Sequence, residues 1–131
     1  MSLHRPTVLL IDDDRSVRDS LGRVLRVENF DVVLAENGKE ALREAIRTKV
    51  DFVVLDLNLG PEESGWETFR ALSELSPSRP ILVMTGEPDR LAHSAASRAA
   101  ALLIKPLDLG FLFRRLRELT IYQQPASTQV A

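Results

Sequence analysis

Near the start of the chain runs Thr7-Val8-Leu9-Leu10-Ile11-Asp12-Asp13-Asp14. A β-branched and apolar run meets three carboxylates without a spacer. A strand apolar at nearly every position needs cover on both faces, as strands of a parallel sheet have. Similar runs recur at Asp31 to Ala35, Phe52 to Leu55, Ile81 to Met84 and Ala101 to Ile104. Segments with helical spacing lie between them. Their stripes are Val17, Leu21, Val24 and Leu25; Ala41, Leu42, Ala45 and Ile46; Phe69, Leu72 and Leu75; and Leu109, Leu112, Phe113, Leu116 and Leu119. Pro88 to Ala99 is alanine-rich with a faint stripe. A helix is expected there because parallel strands need a crossover. Five strand–helix units in alternation predict an α/β fold: a doubly wound, five-stranded parallel sheet with five helices and right-handed crossovers.

Local signals agree. Asn37-Gly38 ends the second strand and opens a helix, and Pro77 and Pro80 bracket the turn into the fourth strand. Asp14 and Asp108 are placed to cap the first and last helices. The 131 residues fit one domain, read as residues 1–122 with a polar tail or linker at 123–131. Seventeen basic against 19 acidic residues give a net charge of −2, without the basic excess of a nucleic-acid binder. The apolar runs fall far short of the roughly 20 residues of a membrane helix. The first residues lack the apolar core of a signal peptide. The absence of cysteine excludes disulfides and thiolate metal sites and fits a cytoplasmic location.

In such sheets ligands bind beyond the carboxyl ends of the strands. The first strand delivers Asp12, Asp13 and Asp14 there, the third Asp56, the fourth Thr85 and Gly86, and the fifth Lys105 and Pro106. Carboxylates gathered at one edge repel unless something compensates them. A hard divalent cation such as Mg²⁺ can do so through oxygen ligands, and so can the Lys105 ammonium. A threonine hydroxyl can donate to an anionic oxygen. The set suits phosphoryl transfer, which depends mainly on positioning and charge neutralisation. A carboxylate can itself be the nucleophile.

The succession Val-Leu-Leu-Ile-Asp-Asp-Asp, Val-Val-Leu-Asp-Leu-Asn-Leu, Val-Met-Thr-Gly and Ile-Lys-Pro-Leu resembles the receiver domains of two-component response regulators, from about Thr7 to Leu119. The resemblance implies a flavodoxin-like sheet of order 2-1-3-4-5. It implies Asp56 as phospho-acceptor and a Mg²⁺ site of Asp13, Asp12 through water, Asp56 and the Asn58 backbone carbonyl. Thr85 matches the switch hydroxyl, Lys105 the lysine, and Lys105-Pro106 the cis peptide. Glu87 and Asn58 would flank the path of the hydrolytic water. The implied donor is a histidine kinase or histidine phosphotransfer protein, and the implied output is partner binding or a phosphorylation-dependent homodimer. Two departures stand out. Gly60-Pro61 and Gly65 suggest one extra residue in the loop after Asp56. Leu102 occupies the place of the aromatic switch residue, so the usual aromatic relay is absent.

Each piece has a plainer reading. An aspartate run can be a loop cap, Thr85-Gly86 a turn and Lys105-Pro106 a helix stop. Their joint placement is what favours a site. His4 and His93 read as surface, Trp66 as packing on the third helix, and Arg114, Arg115 and Arg117 as a solvated face. Phe111 falls off its helix's stripe. Rival functions are a receiver-like docking or dimerisation module with impaired switching, an aspartate-nucleophile phosphatase and a flavodoxin. Asp56-Leu57-Asn58 lacks the Asp-x-Asp of the phosphatases. Three aspartates in the first loop would repel a flavin phosphate.

Overall fold

The computed structural model describes residues 5–60, 64–87 and 97–122. The chain runs β1 (Thr7–Ile11), α1 (Arg15–Val27), β2 (Asp31–Ala35), α2 (Gly38–Arg47), β3 (Phe52–Asp56), α3 (Gly65–Leu75), β4 (Ile81–Thr85), β5 (Ala101–Ile104) and α4 (Leu109–Tyr122). The strands form one sheet of order β2-β1-β3-β4-β5. All pairings are parallel.

Four helices are present among the described residues, where the sequence predicts five. Residues 88–96 of the expected Pro88 to Ala99 helix lie outside the described residues. The remainder, at 97–99, forms turns and bends rather than helix. The tail at 123–131 also lies outside them.

Alternation along the strands sends side chains into two layers. Val8, Leu10, Phe52, Val54, Leu82 and Met84 pack with Leu21 and Leu25 of α1 and with Leu112, Phe113 and Leu116 of α4. Leu9, Ile11, Val53, Leu55 and Val83 pack with Ala41 and Ala45 of α2 and with Phe69 and Leu72 of α3. The stripes overreach at three positions. Ile46 is 72% exposed and Leu75 45% exposed, each at the last turn of its helix, and Leu109 is 38% exposed at the first turn of α4. All three lie at helix ends, where a stripe loses its cover.

Capping follows the sequence. The Asp14 side chain accepts from the Ser16 and Val17 amides, Asn37 from Glu40, and Asp108 from Phe111. Two arginines read as solvated have structural partners. Arg115 Nε donates to the Ala100 carbonyl at 2.9 Å, tying α4 to the start of β5. Arg117 pairs with Glu28, beyond the end of α1.

Leu25 is fully buried between α1 and the sheet. Leu25→Ala is expected to cost about 2–5 kcal/mol of unfolding free energy, because the site is walled by sheet and helix and cannot collapse. Urea denaturation followed by circular dichroism measures it, and a loss below about 1 kcal/mol would contradict this packing.

Candidate functional site

Strands β1, β3, β4 and β5 bring their carboxyl ends to one edge. There β3 and β4 each run one residue past the apolar run read from sequence. Asp56 pairs with Met84 and Thr85 with Ile104, so both functional side chains sit on the last rung of a ladder. They are therefore held by the sheet rather than by a loop. Asp12 follows β1, and its amide continues the pairing by donating to the Ala35 carbonyl at 3.1 Å.

The same device turns the chain away from three strand ends. Asp12 Oδ1 accepts from the Asp14 amide at 2.9 Å, Asp56 Oδ1 from the Asn58 amide at 3.0 Å, and Thr85 Oγ1 from the Glu87 amide at 2.9 Å. Short polar side chains close such turns by bonding the backbone two residues on. Each side chain is thereby fixed before any ligand arrives. Asp12, Asp56 and Thr85 are buried, while Asp13 is exposed.

Lys105 bridges the two buried carboxylates. Its Nζ lies 3.0 Å from Asp56 Oδ2 and 3.3 Å from Asp12 Oδ2. Burial pushes the Asp12 carboxyl above its ordinary value. The Asp14 amide opposes this, the neighbouring Asp56 charge adds to it, and Lys105 pulls it back down. Burial also works against the Lys105 ammonium. The hydrogen bond to Asp56 and the charges of Asp56 and Asp12 outweigh it and hold Lys105 above its ordinary value. The Lys105–Pro106 peptide is cis.

Carboxylate oxygens of Asp12, Asp13 and Asp56 lie within 4.8 Å of one another. This all-oxygen, anionic donor set suits a hard divalent cation and no soft metal. The Asn58 backbone follows directly in the loop, and an antiparallel bridge between Asn58 and Ser64 closes that loop. Residues 61–63, Pro61 among them, lie outside the described residues. Gly60 has φ 109°, and a Cβ there would lie 4.0 Å from Asp13 Oδ2. A left-handed backbone at this point favours glycine.

Other sequence candidates fall at varied distances from this edge. Leu102 is partly buried, pairs with Val83 and packs on the layer of α2 and α3. Trp66 is half-buried at the first turn of α3, edge-on to Phe69 with ring centroids 5.3 Å apart. Phe111 is 38% exposed. His4 and His93 lie outside the described residues.

Sequence reasoning missed two supports. Arg18 Nη1 donates to the Asp12 carbonyl at 2.9 Å and braces the loop after β1. Its place one turn into α1 was the available signal. Gly65 is buried so closely against the loop that a Cβ would run into the Leu57 backbone, 2.7 Å from its carbonyl carbon. The glycine was visible in the sequence, but its contact was not.

The family model of the response regulator receiver domain matches residues 8–117. The transcriptional regulatory protein GlrR of Escherichia coli is 32% identical over 130 residues, which is 96% of this chain. The chain spans only 29% of that relative's length. The chemotaxis protein CheY4 of Vibrio cholerae is a solved structure with a TM-score of 0.78 at 28% identity, covering 88% of this chain and 99% of its own. A response regulator protein from Burkholderia pseudomallei, described with a phosphorylated aspartic acid, calcium ion and citrate, has a TM-score of 0.73 at 29% identity, covering 95% of this chain and 69% of its own.

Removing the Lys105 ammonium leaves two buried carboxylates facing each other. Lys105→Ala is expected to lower Mg²⁺-free stability by about 1–3 kcal/mol, tempered by the partial exposure of the lysine. Chemical denaturation at neutral pH in a chelator checks this. Gly65→Ala is expected to cost about 1–3 kcal/mol by the same measurement, since the clash is with backbone that must shift.

Proposed function

Because the chain belongs to the response regulator receiver domain family, a family of two-component signalling modules typically phosphorylated on aspartate, we propose that Asp56 is its phospho-acceptor. The observation that carries this is the meeting of Asp56 with Asp12 and Asp13 under the Lys105 ammonium. We read residues 1–122 as the receiver unit and 123–131 as a tail or linker. The unit acts as a signalling switch rather than as a turnover enzyme.

The donor is a phosphohistidine on a histidine kinase or histidine phosphotransfer protein. A carboxylate oxygen of Asp56 forms a bond to phosphorus as the P–N bond breaks, and the electron pair stays on the leaving nitrogen. The product is an acyl phosphate. Lys105 faces both the nucleophile and Asp12, so it balances negative charge at the reacting edge. Thr85 Oγ1 already accepts a bond from the Glu87 amide, which leaves its proton available to a phosphoryl oxygen. Asn58 and Glu87 flank the opening through which water later hydrolyses the acyl phosphate.

Asp12, Asp13, Asp56 and the Asn58 backbone carbonyl would hold Mg²⁺. When bound, the ion neutralises charge on the carboxylates and on the transferred group. The phosphorylated aspartic acid and the calcium ion named for the Burkholderia pseudomallei structure support this reading. No helix among the described residues is long and apolar enough to cross a membrane, and we read the module as cytoplasmic.

Output passes to a downstream target or to a second copy of the chain. Leu102 favours a second reading. A branched aliphatic packed on the α2 and α3 layer cannot supply the ring rotation of an aromatic switch, which leaves room for a docking or dimerisation module with impaired switching.

Acetyl phosphate with Mg²⁺ is expected to place one phosphoryl adduct on Asp56, located by mass spectrometry after acid trapping. Asp56→Asn or chelation of the metal should abolish it. A folded protein with no adduct would overturn the phospho-acceptor reading and leave the docking module.

A further inference from the structure

The cleft beside the reacting edge has a wall that the phosphoryl chemistry does not explain. It has a volume of about 410 Å³ and is lined by Asn58, Trp66, Thr85 and Glu87 among others. Asn58 and Glu87 each follow two residues after Asp56 and Thr85, and Thr85 itself lines the cleft, so the cleft adjoins the reacting edge. Metal binding and charge neutralisation use only oxygens and the Lys105 ammonium, and neither needs an indole.

Trp66 is built to present a ring there. Its edge-on contact with buried Phe69 at 5.3 Å and 74° fixes its orientation. A ring already held in place loses little freedom when a ligand stacks on it. Glu87, an anionic residue, lines the same cleft. An aromatic face with an anionic neighbour favours a flat, cationic ring. A protonated phosphoimidazole is such a group.

We infer that Trp66 is a specificity-determining residue that makes this receiver prefer phosphodonors with an aromatic nitrogen leaving group over those with a carboxylate leaving group. The inference rests on Asp56 being the phospho-acceptor. In the transfer, Asp56 oxygen bonds to phosphorus and the P–N bond breaks. The pair stays on that ring nitrogen, and the proton on the other nitrogen makes the departing ring neutral imidazole. Trp66 holds the cationic ring before transfer. It has no comparable hold on acetyl phosphate, whose departing group is acetate.

The test compares N-phosphoimidazole and acetyl phosphate as donors to the full chain with Mg²⁺, with the adduct counted by mass spectrometry. Trp66→Leu is expected to lower the rate ratio of phosphoimidazole to acetyl phosphate about fivefold, the size of one partly exposed cation–π contact. Trp66→Phe keeps a ring and should retain most of the preference. Fluorine NMR of the Mg²⁺–beryllofluoride adduct checks that the site is intact in both variants. An unchanged ratio in Trp66→Leu, or an equal slowing with both donors, would overturn the inference while leaving Asp56 as acceptor. If neither donor labels the unaltered chain, the acceptor reading falls and takes this inference with it.

Discussion

Two carboxylates buried at one sheet edge cannot both stay charged without a partner, and Lys105 is that partner. It arrives from β5, at the far side of the sheet from β2, and reaches Asp56 at the end of β3 and Asp12 just after β1. A single ammonium therefore ties together three strand ends that have no covalent reason to meet. The strand order must place β1 and β3 side by side, and the strand ends must finish level with one another, for this contact to exist. The edge is held in tension: burial works against the charges of Asp12 and Lys105, and each depends on its neighbours.

The rest of the site inherits that arrangement. Asp12, Asp56 and Thr85 each tie down the turn leaving their own strand, so the same atoms that face the reaction also shape the loops around it. Asp13, left outside this bonding and exposed to solvent, is the carboxylate most available to an incoming cation.

The apolar runs made the strands legible, because a strand covered on both faces has no choice of composition. The site was legible for a related reason. Polar residues placed immediately after such runs must emerge at the carboxyl edge, whatever the loops do. The true ends of β3 and β4 were less visible, since Asp56 and Thr85 are polar and yet complete the ladder. Ile46 and Leu75 show the converse: an apolar residue at the right spacing stays exposed at the last turn of its helix. Arg115 and Arg117 show that a charged face can carry specific ties, which depend on where a distant carbonyl or carboxylate falls. Gly65 depends on a backbone approach that no spacing rule encodes.

The sheet also divides the molecule's interior in two. The cluster under α1 and α4 and the cluster under α2 and α3 have no buried residue in common. Substitutions in packings that share no partners add rather than compound. Each layer can thus drift in sequence on its own schedule while the strand ends between them stay in place. A lineage of such modules can remodel the helices of one flank to suit a new partner without retuning the other flank or the catalytic edge, which gives the architecture a separable route to diversity.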